Sequence, residues 1–280
     1  MNNFSFDKCR YETILNDINN IINSLSNNDL INIYNDLFHC IDHTTLRDED
    51  NVHSVRDFCS KAVELCAETH IGSMASVCIY PEYAETAKKI VQKIGMRTAT
   101  VVGGFPTGQM SLPLKLQEVS YAIDNGADEL DFVINRGSFL SGDEKYLAKE
   151  ISAVRRLCGD STTLKVILET GQLKTPELIY RASTIVMENG ADFIKTSTGK
   201  CGVGATPEAA YYMLFAIKNF QKNSSCKIGF KVSGGVSTID DALLYYFMTK
   251  KILCIESINN QIFRIGTSRL MSELGKKLTN

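Results

Sequence analysis

The sequence predicts an α/β protein built as a single (β/α)8 TIM barrel with an additional N-terminal helix. Eight short apolar segments suited to buried strands recur at intervals of about 30 residues, the length of one βα unit. Amphipathic stretches suited to helices separate them. Several of the segments are almost wholly apolar and β-branched, as strands covered on both faces require. The length of 280 residues fits one such barrel without a second domain.

Residues 1–36 are predicted to form a helical extension, and residues 37–280 the barrel domain. The extension is rich in asparagine, but its apolar residues recur at helical spacing and form one stripe: Ile14, Ile18, Ile21, Ile22 and Leu25. This pattern favours an added helix over a disordered tail.

The barrel strands and the turns between them are predicted from short local patterns. The predicted strands are Leu37–Ile41, Met74–Ile79, Thr98–Val102, Glu129–Ile134, Leu164–Leu168, Asp192–Ile194, Lys227–Val232 and Ile262–Ile265. Pro81 and Pro207 are predicted to open helices, since proline is tolerated in the first turn, with Thr206 as the cap of the second helix. Asn-Gly-Ala-Asp occurs at 125–128 and again at 189–192, between a helix and a strand each time, which indicates repeated turn chemistry.

Charge, cysteine usage and hydropathy exclude several classes of protein. Thirty basic against 32 acidic residues give a net charge of −2, so no overall field attracts nucleic acid or an acidic membrane. The nine cysteines are scattered without a CxxC pair, and no histidine or cysteine spacing suggests a metal site. No signal peptide or apolar run of about 18 residues is present. We therefore expect a reduced, cytoplasmic protein that binds a small molecule and needs no metal, nucleic acid or membrane.

Three charged residues lie in or just after predicted strands, where the active site of an α/β barrel is built. Lys195 follows the sixth strand, Lys231 lies near the end of the seventh, and Asp131 lies within the fourth. We expect the lysines on adjacent strands, with Asp131 two strands from Lys195 and Gly229 leaving space beneath Lys231.

Two neighbouring lysines favour covalent catalysis by an amine. Two ammonium groups about 5 Å apart repel by roughly 3 kcal/mol at an effective dielectric of about 20, which lowers a lysine pKa by about two, and burial lowers it further. The neutral amine can then attack a carbonyl, while Asp131 moves protons through water. Taken singly, each residue is more simply explained as a solvated or salt-bridged residue at a strand end. Two lysines and an aspartate at the same rim of the barrel instead favour a catalytic role.

Three glycine- and hydroxyl-rich segments follow the last three strands: 197–200, 233–235 and 266–269. Glycines let backbone N–H groups approach anionic oxygens, and the following helices add their positive N-terminal ends. Barrel phosphate sites are often built from the loops after the seventh and eighth strands. One such segment alone is commonly just a turn. Together they predict a phosphate site formed by Gly199, Lys200, Ser233, Gly234, Gly235, Gly266 and Ser268.

Several short motifs of the chain are recognisable, and the most specific of them is Phe193–Lys200. The others are Asp42–Leu46, Val77–Pro81, Gly126–Asp131, Leu168–Gly171, Gly229–Lys231, Gly234–Gly235 and Phe263–Gly266. Through these motifs, from about Ile41 to Leu270, the chain resembles the deoxyribose-phosphate aldolase family. Gly103–Gln109 and Val133–Arg136 look like its eukaryotic branch.

The resemblance implies a class I aldolase without metal or organic cofactor. Lys195 matches the Schiff-base lysine, Lys231 the second lysine that lowers its pKa, and Asp131 a carboxylate that acts through a water. The expected reaction is reversible cleavage of 2-deoxy-D-ribose 5-phosphate to D-glyceraldehyde 3-phosphate and acetaldehyde, in deoxyribonucleoside catabolism. Family members are often homodimers.

Other pocket positions and two departures from the family pattern also follow from the resemblance. Asp42, Cys78 and Thr198 match positions of the substrate pocket, although Asp42 and especially Cys78 could instead be buried structural residues. Ser233 stands where many relatives have alanine. Arg269 replaces a small residue, and it is expected either to add a phosphate contact or to crowd the pocket.

Two other functions remain open at this point. A different phosphate-binding barrel, such as another Schiff-base aldolase or an isomerase, is one of them, but an isomerase would rely on a glutamate or histidine base without two adjacent lysines. An inactive barrel acting as a scaffold is the other, and it would be expected to have lost one of the three central residues.

Overall fold

The computed structural model describes residues 7–279, in which eight parallel strands close into a barrel in chain order. The strands are β1 (Ile41–Thr44), β2 (Ser76–Ile79), β3 (Arg97–Val102), β4 (Glu129–Val133), β5 (Thr163–Ile167), β6 (Phe193–Lys195), β7 (Gly229–Ser233) and β8 (Phe263–Thr267). The predicted (β/α)8 fold is confirmed, and seven strands overlap their predicted segments closely.

Helices surround the barrel. They are α1 (Lys8–Asn23), α2 (Asn27–His39), α3 (Val52–Thr69), α4 (Ala84–Val91), α5 (Leu112–Asp124), α6 (Arg136–Leu140), α7 (Glu144–Cys158), α8 (Thr170–Leu173), α9 (Pro176–Glu188), α10 (Pro207–Gln221), α11 (Ile239–Leu253) and α12 (Leu270–Thr279). Pro207 opens α10 with the Thr206 hydroxyl oxygen accepting the Ala209 N–H at 3.1 Å, as predicted. Pro81 instead opens a 3-10 turn, Pro81–Tyr83, that leads into α4.

Two helices precede the barrel in the described residues, where the sequence predicted one. Ser26 separates them: its hydroxyl accepts the Asp29 N–H at 3.2 Å, and the Asp29 carboxylate accepts the Ser26 N–H at 3.1 Å. This reciprocal cap satisfies two free N–H groups at the start of α2. Helix α1 packs against α11, and α2 packs against α12. Residues 1–6 of the predicted extension lie outside the described residues.

The first strand begins four residues later than predicted. Leu37 and Phe38 are fully buried, but they belong to α2, and β1 begins at Ile41. A short apolar run fits a buried helix end as well as a buried strand, so periodicity alone could not separate them. The boundary at residue 36 between extension and barrel therefore falls within α2, and the division into two parts stays a prediction.

The repeated Asn-Gly-Ala-Asp motif makes the same hydrogen bond at both places. The carboxylate of Asp128 accepts the N–H of Thr98 at 2.9 Å, and that of Asp192 accepts the N–H of Leu164 at 2.7 Å. Each aspartate thus binds the backbone of the preceding strand. Gly126 and Gly190 have φ of +92° and +101°, the left-handed conformation that ends a helix.

The outward faces of the strands are apolar and pack against the helices, as Leu130, Val166 and Ile194 do. The inward faces of β2 and β3 contribute a small apolar cluster that contains Cys78 and Val101. The other strands turn charged side chains into the barrel. This polar interior is where the candidate site lies.

Two further findings concern the whole described chain. All nine cysteines carry free thiols. Over residues 7–279, none of the helices has the length and apolar character that crossing a membrane would require.

Candidate active site

Asp131 lies at the centre of the barrel, with three lysine ammonium groups around its carboxylate. Its Oδ2 is 2.6 Å from Lys195 Nζ and 2.7 Å from Lys231 Nζ, and its Oδ1 is 2.9 Å from Lys165 Nζ. Lys195 pairs in register with Lys231 on the adjacent strand, as the sequence predicted. The fold therefore brings together the three predicted catalytic residues. The contacts from Asp131 to the three lysines are direct.

Of these four residues, Lys195 alone lines the open cavity at the C-terminal ends of the strands, which has a volume of about 790 Å³. Its side chain is 3% exposed, whereas those of Asp131, Lys165 and Lys231 are fully buried. A substrate carbonyl that enters the cavity can thus reach one amine of the cluster.

The environment separates the protonation states of Lys195 and Lys231. Burial, and then repulsion by Lys231, lower the pKa of Lys195 against the opposing effect of Asp131. Burial also lowers the pKa of Lys231, but Asp131 and Asp42 together raise it above the usual value. Burial alone would raise the pKa of Asp131, yet the three lysines hold it well below its ordinary value. The arrangement favours a neutral amine on Lys195 beside an ammonium on Lys231. Repulsion by Lys231 acts in the expected direction, but burial is the larger cause.

Asp42 and Cys78 are fully buried and do not line the cavity, and their contact with substrate stays a prediction. The carboxylate of Asp42 is fully buried and accepts hydrogen bonds from Lys231 and, at 2.5 Å, from Arg264. Burial raises the pKa of the Cys78 thiol to about 11, and its Sγ lies 3.8 Å from Asp131 Oδ2. Both residues face the lysine cluster from below, because the inward face of a strand extends deeper than the rim.

The space expected beneath Lys231 is filled by an aromatic ring. A Cβ atom on Gly229 would lie 2.1 Å from Cε1 of Phe193 on the neighbouring strand β6. The guanidinium of Arg264 lies 5.5 Å from the centroid of the same ring. Gly229 is therefore needed so that Phe193 can pack under the two lysines.

Charged residues inside the lower barrel were missed by the sequence analysis. Lys165, Glu129 and Arg264 point inward and are almost completely buried. Lys165 and Arg264 are each the single charged residue of their strand, and Glu129 shares β4 with Asp131. Because an unpaired charge is costly to bury, such a residue in a predicted buried strand indicates a partner elsewhere in the fold.

All seven predicted phosphate-site residues line the cavity, and so does Thr198. The loop after β6 packs directly on the loop after β7, since a Cβ atom on Gly204 would lie 2.2 Å from the carbonyl oxygen of Gly234. Gly234 has a φ of +84°, a conformation that favours glycine. The Ser233 hydroxyl donates to the Ser197 carbonyl at 2.5 Å. The hydroxyl that replaces the family's alanine therefore joins the two loops.

Cations line the rim of the cavity as well. Lys200 and Arg269 were singled out from the sequence; Arg47 and Lys61 were not. Arg269 lines the cavity and is exposed. Lys61 reaches the cavity from α3, whose approach to the β7 and β8 loops no local pattern indicates.

Glu169 holds Thr198 in place. Its carboxylate accepts the Thr198 hydroxyl at 2.5 Å and forms an ion pair with Arg136 at 3.3 Å. Glu169 has a φ of +56°, unusual for a residue with a side chain. Arg136 in turn donates to the carbonyl oxygens of Pro106 and Thr107 at 3.1 and 2.9 Å. The loops after β3, β4, β5 and β6 are thereby connected around Thr198.

His43, next to Asp42, predicts a pH dependence of stability. Its ring is 4% exposed and stacks on Phe58 at a centroid distance of 4.0 Å. Burial lowers its pKa from 6.5 to about 4. The unfolded chain therefore binds this proton at a higher pH than the folded chain does. Stability is expected to fall between about pH 6.5 and pH 4, by about 3 kcal/mol from this residue.

Urea unfolding at several pH values between 7 and 4 measures this loss. His43→Phe keeps a ring against Phe58 but cannot titrate, so it should remove about 3 kcal/mol of the pH dependence. An unchanged pH dependence in this variant would assign the loss to other groups.

Comparisons with known proteins agree with this geometry. A family model described as DeoC/LacD family aldolase matches residues 37–246. The deoxyribose-phosphate aldolase of Agrobacterium fabrum is 41% identical over 235 residues, which cover 84% of this chain and 87% of that protein. The deoxyribose-phosphate aldolase of Homo sapiens is 39% identical over 249 residues, covering 85% and 78%. The solved structure of a tetrameric deoxyribose phosphate aldolase from Aeropyrum pernix matches with a TM-score of 0.70 and 25% identity, over 91% of this chain and 99% of that one.

Proposed function

The chain belongs to the DeoC/LacD family of aldolases, and from this premise we propose that it is a deoxyribose-phosphate aldolase. The reaction is the reversible cleavage of 2-deoxy-D-ribose 5-phosphate to D-glyceraldehyde 3-phosphate and acetaldehyde through a Schiff base on Lys195. The observation that carries the proposal is the placement of Lys195, a lysine with a lowered pKa at the floor of a cavity whose rim suits a phosphate.

The proposed chemistry begins with attack of the neutral Lys195 amine on the C1 aldehyde of the open-chain sugar. Loss of water from the carbinolamine gives an imine. Removal of the proton from the C3 hydroxyl then breaks the C2–C3 bond, releases glyceraldehyde 3-phosphate and leaves the electron pair in an enamine. Protonation of C2 and addition of water release acetaldehyde and restore the amine.

The Lys231 ammonium and the Asp131 carboxylate support these proton transfers. One oxygen, Asp131 Oδ2, lies 2.6 Å from Lys195 Nζ and 2.7 Å from Lys231 Nζ. A proton can therefore pass between the two amines through this carboxylate, with water connecting the cluster to the substrate hydroxyl. The positive charge of Lys231 also favours the uncharged form of Lys195 before substrate binds.

The phosphate end of the substrate is placed against the loops after β6, β7 and β8. Ser268 is exposed on the cavity wall, and it allows a direct test. Ser268→Asp is expected to raise KM for 2-deoxyribose 5-phosphate by about tenfold, since a carboxylate there repels the phosphate by about 1.4 kcal/mol.

Ser268→Asn is the matched control, because it has the same size without the charge, and its KM should stay within about twofold of the wild-type value. Steady-state kinetics with 2-deoxyribose, which carries no phosphate, should show kcat/KM unchanged in both variants. An equal loss of kcat/KM with the unphosphorylated sugar would show that the phosphate does not bind at Ser268.

Turnover of 2-deoxyribose 5-phosphate tests the proposed function. Purified protein is incubated with 2-deoxyribose 5-phosphate, and glyceraldehyde 3-phosphate formation is followed by a coupled reduction that consumes NADH. Acetaldehyde must appear in equal amount, which an isomerase would not produce. A folded sample without turnover would favour a scaffold protein. A cytoplasmic location, a role in deoxyribonucleoside catabolism and assembly as a homodimer stay predictions.

A further inference from the structure

A buried network of charges fills the barrel below the cavity, and most of it lies outside the proposed reaction steps. The described residues of the barrel interior contribute four cations: Lys165, Lys195, Lys231 and Arg264. They contribute three carboxylates: Asp42, Glu129 and Asp131. All seven side chains are at most 3% exposed.

The four cations share the carboxylates unequally. Lys165 meets all three, at 2.6 Å from Glu129, 2.9 Å from Asp131 and 3.4 Å from Asp42. Lys231 meets Asp42 and Asp131. Lys195 meets Asp131 alone among them.

Arg264, at the bottom of the network, binds two carboxylates. Its Nη1 lies 2.5 Å from Asp42 Oδ1 and 3.1 Å from Glu129 Oε2, and its Nη2 lies 2.8 Å from Glu129 Oε1. Its Nε donates to the Asn260 carbonyl at 2.5 Å. Arg97 approaches Glu129 at 3.7 Å, but its side chain is 45% exposed at the start of β3. The Arg264–Glu129 pair is therefore held by the fold, away from the cavity.

With every group ionised, this interior carries one positive charge too many. Burying an uncompensated charge costs several kcal/mol, so the network favours the loss of one proton. Arg264 cannot supply it, because a guanidinium stays charged in proteins. Lys165 and Lys231 each have more carboxylate partners than Lys195. Lys195 is the cation whose proton the network can lose at least cost.

We propose that Arg264, with Glu129 as its counter-ion, is a positioning residue that makes Lys195 the neutral amine by setting the charge balance of the barrel interior. This inference rests on the proposed Schiff-base function and extends it to residues that reach no substrate. Arg264 acts through Asp42, whose carboxylate it holds in place and ionised beside Lys231. Without Arg264, three lysine ammonium groups face three carboxylates. The interior is then neutral with every group ionised, so Lys195 keeps its proton.

The charged and titratable groups of the interior, taken strand by strand, support this balance. They are Asp42 on β1, Cys78 on β2, Glu129 and Asp131 on β4, Lys165 on β5, Lys195 on β6, Lys231 on β7 and Arg264 on β8. Inward residues Ala99 and Val101 of β3 carry no charge. Burial raises the pKa of Cys78, which keeps its thiol neutral and outside the count. Although burial lowers the pKa of Lys165, its three carboxylates raise it above the usual value.

The test is the pH dependence of kcat/KM in three variants compared with the wild-type protein. Arg264→Gln removes one positive charge, so the acid limb, which reports the free amine of Lys195, should move up by about one pH unit or more. Activity at pH 7 should then fall about tenfold and recover towards pH 9. Arg264→Lys keeps the charge and should keep the acid limb of the wild-type protein. The double variant Arg264→Gln with Glu129→Gln removes one charge of each sign, so its acid limb should return to within about half a pH unit of the wild-type value.

Packing damage predicts a different pattern, because it lowers the rate at every pH without moving the limb. It also makes the double variant worse than either single one. Either result would overturn the inference. If Arg264→Gln does not fold, Glu129→Gln provides the test. Loss of this carboxylate leaves one more positive charge uncompensated, so the basic limb, set by Lys231, should move to lower pH. An unmoved basic limb in that variant would equally count against the charge balance.

Failure of the proposed function gives a separate result. If the wild-type protein neither turns over the sugar phosphate nor forms an imine with it, the charge balance is still measured by reductive methylation with formaldehyde and cyanoborohydride. Peptide mass spectrometry follows methylation of Lys195 against pH. The midpoint should rise in Arg264→Gln and return in the double variant, and a midpoint that stays constant would refute the inference.

Discussion

Replacing Lys195 by methionine is expected to lower kcat for 2-deoxyribose 5-phosphate by on the order of 10⁴-fold or more, because the nucleophile is lost. Methionine has a similar length and suits a nearly buried position, so the fold should be retained. No other amine of the cluster can replace it, since Lys165 and Lys231 are fully buried beneath the cavity. The coupled assay measures the loss, and circular dichroism checks the fold.

Borohydride trapping identifies the same residue covalently. With acetaldehyde or the sugar phosphate present, borohydride should reduce the imine and add the corresponding mass to the peptide that contains Lys195. Lys200→Met is the matched control, since Lys200 also lines the cavity but lies 3.4 Å from Asp48 at its rim. That variant should still be labelled on Lys195. Labelling at another lysine, or none at all, would contradict imine formation at Lys195.

Replacing Lys231 by leucine is expected to leave the fold intact and to lower kcat by about 10²- to 10³-fold at pH 7. Two effects contribute. The ammonium that passes protons through Asp131 is lost, and the repulsion that lowers the pKa of Lys195 disappears. Part of the rate should therefore return at higher pH, where Lys195 loses its proton without help.

Lys231→Arg separates these two effects, because it keeps the charge but cannot release a proton. Its acid limb should resemble that of the wild-type protein, while kcat stays low at every pH. Near wild-type turnover in Lys231→Leu would remove Lys231 from the mechanism.

The grouping of the three central residues was predictable because it follows from chain order and strand direction alone. In a parallel barrel, every strand delivers its C-terminal end to the same rim, so Lys195 and Lys231 on successive strands must be neighbours. The same reasoning placed the glycine-rich loops around one cavity. Asp42 and Cys78 were named from the family resemblance instead, and chain order alone does not give their depth, because the depth of a side chain below the rim depends on strand stagger.

The start of the barrel shows where local patterns reach their limit. Leu37 and Phe38 are apolar and buried, and either a helix or a strand would satisfy them. The helix forms because the cap at Ser26 and Asp29 begins it, and packing against α12 continues it to His39. Tertiary contacts therefore decided this boundary where sequence periodicity could not.

By itself, the sequence determined the barrel, the pairing of the two lysines, the position of Asp131 and the loops suited to a phosphate. These depend on periodicity, on strand order and on short motifs, all of which are local properties of the chain. Which of the two lysines has the lowered pKa follows only from the tertiary structure. Burial of Lys195, its single carboxylate partner and the unequal sharing of Asp42, Glu129 and Asp131 arise from strands far apart in sequence. A pKa is set by the distances and solvent access of all surrounding charges, and those exist only once the barrel has closed.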